Sequence, residues 1–363
     1  MQAKNLVRIF LPLLILWLAA CGPKSIVVPR AEKKTVEVPA KATFVGDEAC
    51  KPCHAAEFTS HRAGRHKLSL FDTTKSALGT MTPPEGETES SFALQSIEDQ
   101  LTVMIRLPQQ TERNEVPLSL AIGSGKSGMT YMIFGKSLSA VLGQSYFPSE
   151  KKWHATPGQE DVPKNQPGGI YNTEKTRECL RCHVVTLPPN SMVPEKRFYG
   201  IGCESCHGEG SRHAALMQNQ SKSANIGLRS LIGMGGKEMN TLCGRCHQTT
   251  EMVLKMDKKY QKSTNRFQPY GLSLSKCFLK SNNTLTCSTC HNPHQNAETD
   301  PKHYEAVCVD CHSGVSKAKK ACPVNPKEKC VSCHMPSRAV FPNTAVTTKM
   351  ADHFIRIYKN LPP

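Results

Sequence analysis

The pentapeptide Cys-x-x-Cys-His occurs seven times in this chain. The copies are CKPCH (Cys50, Cys53, His54), CLRCH (Cys179, Cys182, His183), CESCH (Cys203, Cys206, His207) and CGRCH (Cys243, Cys246, His247). The remaining three are CSTCH (Cys287, Cys290, His291), CVDCH (Cys308, Cys311, His312) and CVSCH (Cys330, Cys333, His334). From the chain's own Cys and His frequencies, chance supplies roughly 0.03 copies. Whatever fills the interior must answer to these seven fixed points.

The spacing carries a specific chemistry. Two cysteines three positions apart can each add to a vinyl group of one haem, forming two thioethers, and the next histidine then lies under the iron as its proximal ligand. Zinc ribbons also use Cys-x-x-Cys pairs, but zinc does not require a histidine after every second cysteine. A thioredoxin-like redox pair occurs once, beside a βαβ pattern. The sequence therefore predicts seven covalently bound haem c groups.

Composition then falls into place. Of 363 residues only 38% are apolar and two are tryptophan, which is thin for a core of that size. Six motifs lie between Cys179 and His334, about 26 residues per haem, so porphyrins must be the core there. The expected fold is a multihaem cytochrome c, mainly short α-helices and loops around the haems. The formal charge of +16 becomes +14 once Lys4 and Arg8 are set aside with the N-terminal signal. Two propionates per haem bring fourteen carboxylates, so the excess Lys and Arg read as propionate partners rather than a nucleic-acid surface.

The N-terminus sets the compartment. Lys4 and Arg8 precede the apolar run IFLPLLILWLAA, which is short for a membrane span and reads as an export signal over residues 1–20. Leu18-Ala19-Ala20-Cys21 resembles a lipobox, which makes Cys21 the lipidation site; a plain signal peptide cleaved near Ala20 is the alternative. Residue 22 is glycine rather than the aspartate that retains lipoproteins at the inner membrane, which favours an outer-membrane anchor facing the periplasm, with the cell surface as the other exported address. Residues 21–44, rich in Pro, Lys, Val and Ala, read as a membrane tether. Covalent haem attachment also takes place outside the cytoplasm.

Fourteen histidines are present, and seven belong to the motifs. The others are His61, His66, His154, His213, His294, His303 and His353. A distal ligand must approach the opposite face from its proximal partner. His294 follows His291 by three residues and His213 follows His207 by six, too short to loop round a tethered porphyrin. Each is expected to ligate a neighbouring haem.

Between His54 and Cys179 no motif interrupts the chain. Leu101, Val103, Ile105 and Leu107 alternate, as do Val116, Leu118, Leu120 and Ile122, followed by Tyr131 and Ile133. With turn signals at Glu98-Asp99-Gln100 and Gly123–Gly128, this predicts a small antiparallel β insert over 85–150. It separates a first haem segment, 45–84, from a six-haem domain, 151–363. GSGKSG at 123–128 is read as a turn, because Leu120 stands where a phosphate loop requires its first glycine. No nucleotide is implied.

The segments GDEACKPCHAAEF, IGCESCHGEGSRH, LTCSTCHNPH and CVSCHMP resemble the multihaem cytochrome c family that includes the tetrahaem acceptor of hydroxylamine oxidoreductase. The segment order resembles larger bacterial cytochromes often fused to tetratricopeptide repeats, over roughly residues 44 to 357. The resemblance implies distal ligands at His66, His213, His294 and His353. His61 stands where the family often has an aromatic and His154 where it often has aspartate, while His303 lies in a variable segment. These three depart from the pattern, and as distal ligands they rest on the count alone. Cys277 and Cys322 occur in similar family segments, which implies a disulfide; free thiols are the alternative. The function so implied is single-electron transfer to and from other redox proteins in a respiratory chain, by a lipoprotein whose haems are mostly bis-His. The rival is a haem reductase or oxidase of a small nitrogen or sulfur compound at an open coordination site. A scaffold that merely stores haem is the third class.

Overall fold

In the computed structural model of this chain, residues 35–358 are described except 89–91, 107–110, 160, 164–165, 223–224, 262, 313–321, 323, 325–327, 343 and 345. The export signal, Cys21, the tether up to residue 34 and Leu107 lie outside the described residues.

Thirteen strands follow in chain order among the described residues. The first seven are β1 (Leu70–Phe71), β2 (Gly86–Glu87), β3 (Phe92–Ile97), β4 (Gln100–Ile105), β5 (Asn114–Pro117), β6 (Leu120–Ile122) and β7 (Thr130–Phe134). The rest are β8 (Leu138–Leu142), β9 (Gln144–Phe147), β10 (Lys152–Ala155), β11 (Gly168–Asn172), β12 (Ser337–Ala339) and β13 (Lys349–Ala351). They form a five-stranded sheet β1-β6-β7-β8-β11, a four-stranded sheet β2-β3-β4-β5, and the pairs β9-β10 and β12-β13. Every pairing is antiparallel. The expectation of a mainly helical chain with a small insert is therefore corrected: antiparallel strands recur throughout Leu70–Asn172 and return near the C-terminus.

Local chemistry explains the arrangement. Glu98 and Asp99 both take positive φ (49° and 74°), the geometry of a two-residue hairpin turn, and they join β3 to β4 in register Leu94↔Val103. Asp99 is held there by Ser76, whose amide and hydroxyl both donate to its carboxylate. The alternating run from Val116 to Ile122 is not one strand. Pro117 has no N–H to continue a ladder, and the chain crosses there between sheets. Val116 pairs with Val103 on one side of the break and Leu120 with Met132 on the other. Gly123–Gly128 links the antiparallel strands β6 and β7, not a strand to a helix.

The two larger sheets share one core. Phe92, Leu94, Leu101 and Val103 meet Ala121, Tyr131, Leu142 and Tyr146, with the Trp153 ring 5.5 Å from Tyr146, 5.9 Å from Tyr131 and 6.0 Å from Phe92. Of the largest fully buried side chains, all but Leu180 lie between residues 78 and 147. Burying each contributes about 1.5–3 kcal/mol. From residue 179 onward the described residues form short helices and turns, apart from the β12-β13 pair, with few buried aliphatic side chains. Aliphatic packing holds the sheets; it does not account for the motif-bearing part. Among the described residues no helix is long and apolar enough to cross a membrane.

Candidate functional site

Each motif lies on or beside a turn of helix, where positions i, i+3 and i+4 share one face. The helices Cys203–His207, Gly236–His247, Pro301–His312 and Cys330–His334 end on the motif histidine. Thr173–Leu180, capped by Asn172 accepting from the Lys175 amide at 2.9 Å, delivers Cys179, and Cys287–Cys290 stops one residue before His291. The first motif is a single turn, with the His54 amide donating to the Cys50 carbonyl at 3.0 Å. The two sulfurs and the imidazole of a motif are thus aligned by backbone geometry.

Long-range folding then sets the imidazoles against one another. His54 stacks on His213 with ring centroids 6.3 Å apart, and His207 on His294 at 6.3 Å. His247 meets His66 at 6.1 Å, and His291 meets His353 at 6.1 Å. In every pair one ring comes from a motif and the other is one of the four histidines the family resemblance singled out. A metal about 2 Å from each coordinating nitrogen, with the ring centre about 1 Å further back, gives about 6 Å between centroids. The pairs have the span of a metal held between two imidazoles.

Hydrogen bonds orient the rings. The Nδ1 of His213 lies 2.8 Å from the Ile226 carbonyl, that of His353 3.0 Å from Ala351, that of His183 3.2 Å from Ser69 and that of His334 3.0 Å from Arg356. A carbonyl oxygen only accepts, so Nδ1 carries the proton and the Nε2 lone pair is left for a metal. Burial lowers the pKa of His66, His183, His207, His247 and His291 and pushes His353 down to about 4, which keeps the rings neutral and able to ligate.

The other three spare histidines are placed differently. His154 gives its Nε2 to Glu150 at 2.9 Å and packs edge-on against Phe147. His303 points its Nε2 at the Cys290 carbonyl, 3.3 Å away, beside Tyr304. His61, on the helix Ala55–Arg62, lies near Asp47, His66 and His294. None stacks on a motif histidine. His183, His312 and His334 likewise have no second imidazole against them among the described residues. Cys277 lies near Cys290 and Cys308, and Cys322 near Cys330.

Sulfur contacts show which motifs adjoin. Cys50 and Cys203 are within hydrogen-bonding reach, as are Cys182 and Cys246, Cys243 and Cys287, and Cys308 and Cys330. Motif one abuts three, two abuts four, four abuts five, and six abuts seven. A cavity of about 460 Å³ opens beside His207, lined by Phe44, Val185, Arg229 and Arg245 among others. Its lining is mixed, with Glu204 and Glu209 beside Phe44, Val185 and Leu228, and its two guanidinium groups could pair with propionates. The residues present fit haem: paired sulfurs, aligned neutral imidazoles, and space beside them.

Sequence reasoning missed two buried carboxylates here. Asp47 and Glu204 are 7% and 3% exposed. Only their position next to Cys50 and inside CESCH could have marked them.

Residues 147–208 match the family model described as cytochrome c554 and c-prime. Together with the motif geometry above, this match and the relatives below support a multihaem cytochrome c family for the chain. It is similar to the C-type polyheme cytochrome OmcC of Geobacter sulfurreducens, with 23% identity over 245 residues, covering 54% of this chain and 30% of that protein. It is also similar to the multiheme cytochrome MtrA of Shewanella baltica, with 23% identity over 246 residues, covering 59% of this chain and 70% of MtrA. The chain thus spans less than a third of OmcC. Among solved structures, the outer cell wall cytochrome OcwA shares the fold with a TM-score of 0.50 at 15% identity, covering 86% of this chain and 79% of OcwA.

Proposed function

We propose that this chain is an exported seven-haem c-type cytochrome that passes single electrons between redox proteins. The observation that carries the reading is the set of four imidazole pairs, each joining a motif ring to a distant histidine at 6.1–6.3 Å. Haem supplies an iron that gains and loses one electron. The polypeptide does the rest. Cys50 and Cys53, with the six later cysteine pairs, fix where each haem hangs. His54, His207, His247 and His291, with His213, His294, His66 and His353 opposite them, would hold the irons of four haems between two imidazoles each, which would leave little room there for a substrate. Contacts between motifs keep the attachment sites adjacent, as a relay of single electrons requires.

Lipidation at Cys21 and the tether after it would hold the protein at a membrane surface, the periplasmic face of the outer membrane being the favoured address. The name of OcwA, an outer cell wall cytochrome, supports an exported place of action.

A specific observation favours a second reading for part of the molecule. His183, His312 and His334 have no paired imidazole among the described residues, so the haems at those motifs have an axial position to which no histidine is assigned. A small nitrogen or sulfur compound reduced or oxidised there would make the chain an enzyme. EPR of the oxidised protein, before and after adding nitrite or hydroxylamine, separates the two. An all-low-spin spectrum that neither compound changes supports the electron carrier; a high-spin signal that shifts on addition supports the enzyme.

A further inference from the structure

Charged side chains at a surface need no explanation, but Asp47 and Glu204 are buried, and both lie where motif one meets motif three. A buried carboxylate costs several kcal/mol unless its oxygens are satisfied. Here they are. The Oε1 of Glu204 accepts from the amides of Val45 at 3.0 Å and Gly210 at 2.7 Å, and its Oε2 accepts from Gly46 at 2.8 Å. Both oxygens only accept, which is the bonding pattern of an ionised carboxylate. Glu204 forms no ion pair among the described residues, and three backbone amides satisfy its oxygens. Asp47 accepts from the Cys203 amide at 2.9 Å and faces the Lys67 ammonium at 2.7 Å. Burial pushes its carboxyl up, but the hydrogen bond and charge of Lys67, with the Cys203 amide, outweigh this and hold it below the usual carboxylate range. Lys67 also donates to the Tyr199 carbonyl at 2.8 Å.

The local sequence is shaped round this arrangement. A Cβ on Gly202 would meet the Asp47 Oδ1 at 2.3 Å, so only glycine admits the carboxylate. Gly200, at φ +73°, lets the chain turn against the Lys67 carbonyl, which a Cβ would meet at 1.9 Å. The strap before the first motif is tied down further by Arg212 donating to the Pro39 and Ala40 carbonyls, and by Thr43 and Ser211 bonding one another.

Resting on the cytochrome reading above, we infer that Asp47 and Glu204, with Lys67, are positioning residues that clamp the first haem segment on the third and set the redox potential of that junction. A carboxylate beside a haem favours the ferric state, which carries one more positive charge than the ferrous, and a water-poor surrounding strengthens the effect. Glu204 sits between Cys203 and Cys206, and Asp47 bonds the amide of Cys203, so both act on the haems at motifs one and three and little on the rest. Lys67 acts in the opposite sense.

The test is a spectroelectrochemical titration of the full-length holoprotein and of Glu204→Gln, Asp47→Asn and Lys67→Met, each with its haems counted by intact mass. Both carboxylate variants are expected to keep seven haems and to move a minority of the redox components to higher potential. Lys67→Met is expected to move the same components lower. A purely structural role would not give opposite signs. Unchanged potentials in all three variants, or a shift of one sign throughout, would overturn the clamp's electrostatic role. A wild-type mass without haem at motif one or three would overturn the cytochrome reading itself, so the two failures are distinguishable.

Discussion

His213→Ala is the sharpest single perturbation of the axial pairing. It removes the ring stacked 6.3 Å from His54 and the hydrogen bond from its Nδ1 to the Ile226 carbonyl. A net loss of about 0.5–1.5 kcal/mol for that bond is small against a typical stability of about 5–15 kcal/mol, so the fold should persist. The thioethers are untouched, and seven haems should stay attached. One iron alone loses its second imidazole, so about one-seventh of the haem should pass from low to high spin. His154→Ala is the control: its Nε2 is engaged by Glu150, and no motif histidine stacks on it. EPR spin quantitation of both variants, with haem counted by mass, reads the result. An unchanged low-spin spectrum in His213→Ala, or an equal high-spin fraction in His154→Ala, would refute the pairing.

Other expectations follow from packing and charge. Leu94, fully buried in the shared sheet core, should cost about 2–5 kcal/mol when cut to alanine, seen as a lower denaturant midpoint with haem content unchanged. Gly200→Ala should destabilise the chain through its positive φ and the clash with Lys67, and Gly158→Ala, where φ is also positive but space is open, should cost less in the same melt. Because the Asp47 carboxyl is held low, its contribution to stability is present above the ordinary carboxylate value of 3.8 and is lost as pH falls through the lower folded value; wild type and Asp47→Asn should converge in stability in acid. A non-reduced proteolytic digest should yield one peptide pair joining Cys277 to Cys322 if the family resemblance holds for them, and separate alkylated peptides if it does not.

What the sequence revealed was local. Cys-x-x-Cys-His encodes its chemistry within five residues, and the four histidines that resemblance marked are the ones that lie against motif rings. Which ring each would meet was not legible, because His54 and His213 are brought together by the packing of motif one on motif three, far apart in the chain. The sheet was legible where alternation was long, as in β4, and the hairpin turn before it was marked by Glu98-Asp99. It was underestimated where strands are two or three residues long, as in β1, β12 and β13, since so short a run has no period to detect. Pro117 stood in plain view within an alternating run, and its missing donor, not hydropathy, divides that run between two sheets. The buried roles of Asp47, Glu204 and Lys67 were hidden because a charged residue reads as solvated until the backbone amides that satisfy it are brought near.

The central claim is that seven haems are covalently held by the seven motifs. Intact mass spectrometry of the exported protein under denaturing conditions tests it directly, because thioethers survive and ligated metals do not. The account predicts the mass of the processed chain plus seven haems. A chain carrying no haem, or one that loses a metal on denaturation and returns to the bare polypeptide mass, would contradict it.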